Sequence, residues 1–222
     1  MSYPVDPVDL TQPVRSGMPV YPGDPPVHVR PLATHETHGY AAARIELGTH
    51  SGTHVDVPFH FFADGARTDA FSVGRFFGTG LVIDLRHTDR EIDEAGLSAA
   101  AAEAETGGLR PGDFAVLWTG WDIHFGAVSM AEHPYLTSAA AQALVTCGVS
   151  LVATDALNVD PSTGEDYAVH SILLGADVLI VENLRGLDSL GAGRARFAFL
   201  PLRLEGTDGS PVRAVAWKGE GN

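Results

Sequence analysis

The residues from His50 to Phe61, HSGTHVDVPFHF, constrain the chain more than any other stretch, because three histidines and an aspartate fall within eleven consecutive positions. His50, His54, Asp56 and His60 stand at relative positions 0, 4, 6 and 10, all of one parity. On an extended backbone, where side chains alternate between faces, all four project to the same side. On a helix, at about 100° per residue, they spread over two sides, and Val55, Val57 and Pro58 disfavour that conformation as well. A straight strand does not suffice either. Four residues at about 3.3 Å each would separate His50 from His54 by about 13 Å, whereas two donor atoms on one ion, each about 2 Å from it, lie within about 4 Å of one another. The chain is therefore expected to bend. Gly52 permits it, being open to backbone angles closed to other residues, and Pro58 supplies a second fixed turn before His60.

A histidine taken alone is ordinarily a hydrogen-bonded surface or core residue. Three of them with an aspartate around a hinge glycine point instead to a metal site, and imidazole plus carboxylate without thiolate suits Zn²⁺ or Mn²⁺. A second ion would need further ligands. His170, just before Ile172-Leu173-Leu174, and Glu182, at the end of the apolar run Val178 to Val181, are the candidates. His28, His35, His38, His87, His124 and His133 are read as ordinary, with His35 and His38 the foremost exceptions because they lie between the N-terminal arm and the motif. Trp118 and Trp121 are read as packing.

Around this segment the pattern is that of a mixed α/β chain. Leu81 to Leu85 (LVIDL) and Phe114 to Trp118 (FAVLW) are short apolar runs with turn residues on both sides, as buried strands are. Val152 to Thr154, Val178 to Val181, Phe197 to Leu202 and Val212 to Trp217 continue the series, and Ala41 to Leu47 reads as either strand or helix. Two helices are expected: Ala-rich Glu91 to Glu105, and Ser138 to Thr146, capped by Thr137 and stopped by Gly148. Up to about Pro31 the chain reads as an irregular arm with one short strand, its Pro22-Gly23-Asp24-Pro25-Pro26 incompatible with a helix or a central strand. Strands outnumber helices and alternate with them, which predicts a central sheet with a few covering helices. No repeat or linker-like run interrupts residues 1–222, so one domain is expected.

Charge excludes several partners. With 28 Asp+Glu against 14 Lys+Arg, the net charge of −14 and the lack of any Lys/Arg cluster argue against nucleic acid or an anionic membrane. Met1 to Leu10 lacks the basic and apolar regions of a secretory signal, and the apolar stretches fall well short of the roughly 20 residues that span a bilayer. A cytoplasmic protein acting on a small molecule is expected. The lone Cys147 is read as a small buried apolar residue. No Gly-x-Ser-x-Gly elbow and no phosphate-binding Gly-rich loop is present.

The segment His50 to Phe61 resembles the signature His-x-Gly-Thr-His-x-Asp-x-Pro-x-His-Phe of the metal-dependent cyclase-like hydrolases, the family that includes bacterial kynurenine formamidase and isatin hydrolase. The resemblance extends to Met18-Pro-Val-Tyr-Pro-Gly-Asp24, His133-Pro134, His170 followed by Glu182, Leu200-Pro-Leu, and Pro211-Val-Arg213, and so covers nearly the whole chain. It implies a swivelling β/β/α fold, usually a homo-oligomer (dimer or tetramer), with two Zn²⁺ or Mn²⁺ ions per subunit. His50, His54 and Asp56 would hold one ion and His170 the other, with Asp56 and Glu182 bridging. His60 would be the proton donor and acceptor. Tyr21, where the kynurenine formamidases are expected to have Trp, would form an aromatic wall for substrate. Glu182 stands where isatin hydrolases tend to have Gln, which favours two ions. The implied reaction is hydrolysis of a carbon–nitrogen amide bond in a small aromatic compound, N-formylkynurenine or an isatin-like cyclic amide. A cyclase or dehydratase acting on an aromatic or polyketide intermediate, and a metal-binding protein without catalysis, are the competing readings.

Overall fold

A computed structural model describes residues 7–163 and 166–218. Met1 to Asp6, part of the stretch read as lacking a secretory signal, lie outside the described residues. In chain order the strands are β1 (Val8–Asp9), β2 (His28–Ala33), β3 (Ala42–Glu46), β4 (His54–Asp56), β5 (Phe77–Asp84), β6 (Glu91–Ile92), β7 (Phe114–Trp118), β8 (Tyr135–Leu136), β9 (Leu151–Thr154), β10 (Leu179–Glu182), β11 (Gly193–Pro201) and β12 (Gly209–Trp217). The helices are α1 (His35–His38), α2 (Glu94–Ala104), α3 (Ser138–Cys147) and α4 (Ala168–Gly175).

The main sheet runs β1-β12-β11-β5-β7-β9-β10-β4, and β12 pairs with β4 as well, so seven of its strands close into a barrel. β5, β7, β9 and β10 are mutually parallel, while β4, β11 and β12 join antiparallel. The apolar runs that mark β5, β7, β9 and β10 in the sequence are continuous rather than alternating because both faces are covered. Leu81, Ile83, Ala115, Leu117, Val152 and Ile180 pack beneath α2, α3 and α4. Their neighbours Val82, Val116, Ala153 and Val181 face the other way, with Phe114, Phe197 and Phe199, into the inner face of the closed sheet. This is the mixed sheet with few helices expected from the sequence; its closure by β12 was not foreseen.

Local differences have local causes. The Asp93 carboxylate accepts from Gly96 N at 2.8 Å and starts α2 there, so Glu91 and Ile92 are free to pair as β6 with β8. Thr137 caps α3 through Ala140 N at 3.1 Å, and Gly148 ends it at φ 79°, as expected. α4 was not anticipated as a helix. Its apolar residues Val169, Leu173 and Leu174 recur at helical spacing but lie against Val178, and the two merge into one apolar stretch in the sequence. Ala42–Glu46 resolves as strand, paired with His28–Ala33 in a hairpin that begins within the predicted arm. Cys147, expected to be buried, ends α3 half-exposed. Among the described residues no helix is long and apolar enough to cross a membrane.

Candidate metal centre

β4 carries His54 and Asp56 between two antiparallel neighbours. Glu182 of β10 pairs directly with His54, and Gly209 of β12 pairs with Asp56. The chain approaches β4 through a turn at Gly52, whose φ of +66° suits glycine, and whose missing side chain leaves room for Met18. The predicted bend is therefore real, and it brings His50 back over the strand. Past Asp56, Pro58 opens a single turn of 3₁₀ helix ending at His60, which turns that imidazole toward the same cluster. His170 arrives from the first turn of α4. Asn183, at φ 58°, bends the chain immediately after Glu182, and its carbonyl accepts from Thr53 Oγ1 at 2.7 Å.

The structure brings together the five residues singled out as ligands. His50 Nδ1 lies 2.6 Å and His54 Nε2 lies 3.3 Å from Asp56 Oδ1, and His170 Nε2 lies 3.5 Å from Asp56 Oδ2. Glu182 spans the other side, with Oε2 3.6 Å from His54 Nε2 and Oε1 3.6 Å from His170 Nε2. Within these five, two sets of donor atoms are compact enough for an ion, His50–His54–Asp56 and Asp56–His170–Glu182, with Asp56 common to both. His54, Asp56, His170 and Glu182 are all buried.

The far side of each imidazole fixes which nitrogen faces inward. His54 Nδ1 donates to the Gly52 carbonyl at 2.8 Å, leaving Nε2 for the cluster. His170 Nδ1 donates to Asp160 Oδ2 at 2.7 Å, and Asp160 is itself held by the backbone N–H groups of Val169 and His170 at 2.8 and 2.9 Å. Such partners orient a ligand and raise its basicity. Asp56 Oδ2 is buried without a hydrogen-bond partner, an expensive condition that a cation would relieve. Two carboxylates, three inward imidazole nitrogens and one orphaned oxygen fit a pair of divalent ions.

The electrostatics point the same way. Burial pushes the His50 and His170 imidazoles down, yet the surrounding carboxylates outweigh it and carry each up to about 10. Burial and the neighbouring Asp56 push Glu182 up to about 7. Burial also acts to raise Asp56, but His54 and His50 hold it well below the usual carboxylate range. Without an ion the cluster is thus balanced by protons on its histidines.

The cluster forms one wall of a cavity of about 380 Å³. His60 and Tyr21 line it, as do Phe61, Phe125, Met130 and Tyr167. Phe61 stacks on His170 with ring centroids 4.9 Å apart, and the Tyr21 and Tyr167 hydroxyls meet at 3.5 Å. Asp160, Tyr167 and Asp208 were missed by the sequence reading, because each lies in an unremarkable loop and only the fold delivers it. Asp208 Oδ2 sits 2.9 Å from His50 Nε2 and 3.2 Å from His60 Nδ1. His35 and His38, the foremost exceptions among the ordinary histidines, lie on α1, which has no buried residue, and do not line the cavity. Trp118 packs in the core with the Arg86 guanidinium 3.7 Å over its ring, and His133 is fully buried, its Nε2 accepting from Ser162 Oγ at 2.7 Å.

Comparison with known proteins gives this arrangement its context. The Cyclase family model matches residues 8–161. The kynurenine formamidase of Geobacillus thermodenitrificans is 32% identical over 215 residues, 95% of this chain and 97% of the relative. A crystal structure of an isatin hydrolase bound to the product analogue thioisatinate superposes with a TM-score of 0.85 at 25% identity, covering 95% of this chain and 91% of that one. The structure of a potential metal-dependent hydrolase with cyclase activity superposes with a TM-score of 0.81 at 27% identity, covering 97% and 99%. The family match spans more than half of the chain, and relatives about 30% identical cover 93% or more of it: the chain belongs to the Cyclase family and is a hydrolase.

Proposed function

We propose that the protein hydrolyses the amide bond of a small N-formyl aryl amine, of which N-formylkynurenine is the type, using two divalent ions, Zn²⁺ or Mn²⁺. The observation that carries this reading is the cluster of His50, His54, His170, Asp56 and Glu182, buried except at His50, which opens onto an aromatic-lined cavity beside His60. Bound there, divalent ions supply Lewis acidity, lowering the pKa of water and polarising a carbonyl.

The protein's own groups then have defined tasks. Phe61, Tyr21, Tyr167 and Phe125 form walls on which an aryl ring packs. His60, with Nδ1 turned to Asp208, has Nε2 available to take a proton from the attacking water and return it to the leaving nitrogen. In balance, one water adds to the formyl carbon, the C–N bond breaks with its electron pair going to nitrogen, and formate and the aryl amine leave. The relatives named kynurenine formamidase support the formyl substrate. The likeness to a thioisatinate-bound isatin hydrolase supports a cyclic aryl amide as the second candidate.

The test is formate release from N-formyl-L-kynurenine by chelator-stripped protein reloaded with Zn²⁺ or Mn²⁺, with isatin ring opening followed in parallel. Metal-dependent formate release is expected. Two bound ions with neither product formed would overturn the amidase reading in favour of a cyclase. We further infer a cytoplasmic homo-oligomer. The β2–β3 hairpin supports the assembly, because it holds Leu32 and Ile45 out at 68% and 59% exposure.

A further inference from the structure

Asp208 lies in the short loop that leads into β12, yet its position is set by β4. The Val57 N–H donates to its carbonyl at 3.2 Å, the Thr68 N–H donates to the carbonyl of Thr207 at 3.0 Å, and Gly209 is paired with Asp56. Gly209 has no room for a side chain: a Cβ there would stand 2.7 Å from the Val55 carbonyl oxygen and 2.9 Å from His50 Cε1. The loop is therefore pressed against the cluster, and the Asp208 carboxylate has little choice of direction. Thr49 Oγ1 donates to its Oδ1 at 3.0 Å, while Oδ2 faces two imidazoles, His50 Nε2 at 2.9 Å and His60 Nδ1 at 3.2 Å. Those two rings lie 4.1 Å apart and tilted by 33°.

We propose that Asp208 is a positioning residue that sets the tautomers of His50 and His60 together, and so aligns the proton-carrying imidazole with the metal-binding one. This rests on the hydrolase reading for the roles of the two histidines. An ionised carboxylate only accepts hydrogen bonds, so each nitrogen turned to it must carry a proton. A neutral imidazole has one protonated nitrogen and one lone pair. With Nε2 protonated against Asp208, His50 offers its Nδ1 lone pair to the cluster. With Nδ1 protonated against the same oxygen, His60 offers Nε2 to the cavity. One side chain thereby fixes two rings whose roles differ.

The donor atoms of His50, His60 and Asp208 are themselves close enough to surround an ion. That use competes with the first: an ion there would take the Nε2 lone pair of His50, leave the Nδ1 proton donating to Asp56, and so withdraw His50 as a ligand from the set it forms with His54 and Asp56. The burial of His54 and Asp56, against the half-exposed set of His50, His60 and Asp208, favours the positioning role.

The experiment combines ring ¹⁵N NMR of the histidines with kinetics and metal analysis. In the zinc-loaded wild-type protein, His60 is expected as the Nδ1–H tautomer, a readout independent of substrate. Asp208→Ala should release that preference, lower kcat by about 10- to 100-fold with KM little changed, and retain two ions per chain. Asp208→Asn, whose amide oxygen accepts the same two protons while its NH₂ turns to Thr49, should recover much of the loss. Asp208→Ala combined with His60→Ala should be no slower than His60→Ala alone. An Nε2–H tautomer in the wild-type protein overturns the proposal even if every variant misfolds. Multiplicative losses in the double variant, an Asn variant no better than Ala, or loss of an ion from Asp208→Ala overturn it as well. Absence of amide hydrolysis by the wild-type protein with the Nδ1–H tautomer intact would instead count against the hydrolase reading.

Discussion

At the scale of single residues, the proposed division between holding metal and moving protons rests on burial and on what each ring faces. His54 and His170 each spend Nδ1 on a protein oxygen and are buried, whereas the His60 side chain is 29% exposed and lines the cavity. His60→Ala is therefore expected to keep both ions while kcat falls by about 10² or more, the usual share of a general acid–base; metal analysis beside turnover decides it, and loss of metal would make His60 a ligand. Asp56 touches both donor sets, so Asp56→Ala should strip both ions rather than one, and a variant that still holds one ion would remove Asp56 from the bridging role. The motif made these residues legible because the hinge glycine, the proline and the four polar side chains are neighbours in sequence. Asp160 and Asp208 were not legible: each is one carboxylate among 28, and nothing local to it signals a histidine partner.

At the scale of elements, the parity argument was right in direction and incomplete in form. Only His54 and Asp56 share a strand; His50 reaches them from a turn and His60 from a 3₁₀ turn, so the common side arises from two bends rather than from one extended run. The bends were visible as Gly52 and Pro58. The register was not, because β4 is three residues long and takes its position from β10 and β12, which are remote in sequence. Gly209 is where this register can be tested. Gly209→Ala forces a methyl group against the Val55 carbonyl and His50, and overpacking of this kind typically costs about 1–3 kcal/mol. A lowered urea midpoint is expected, together with weaker zinc binding. Full stability with unchanged metal affinity would show that the β4–β12 ladder yields easily.

At the scale of the whole molecule, the candidate metal cluster is expected to couple stability to pH in opposite senses with and without ions. In the metal-free protein the His50 and His170 imidazoles titrate at about 10, above the ordinary histidine value of about 6.5. The stabilisation they confer is complete below the ordinary value and is lost as pH rises through about 10. Glu182, carried up to about 7, acts in the same direction at lower pH, since its burial favours the protonated form. Ligands that bind metal must instead shed those protons, so zinc affinity and its contribution to stability increase with pH. Thermal melts between pH 7 and 10 should show Tm falling in EDTA and holding or rising with zinc. Parallel curves would mean that the cluster is not the titrating unit.

The partner switch of β12 has a kinetic consequence. This strand pairs with β4 through Gly209 to Pro211 and with β11 through Val212 to Trp217, so the last strand of the barrel is also its seam. Asp208 and His50, in direct contact, are separated by 158 residues of sequence. A contact of such separation forms late, because the loop it closes must be ordered before the contact repays that ordering. On the ribosome, the two histidines near Asp208 acquire their shared carboxylate only after synthesis has passed Asp208, 158 residues beyond His50. The nascent polypeptide thus displays the candidate ligands His50, His54 and Asp56 long before Asp208 can reach them, and the complete cluster appears in the same closing step that seals the barrel.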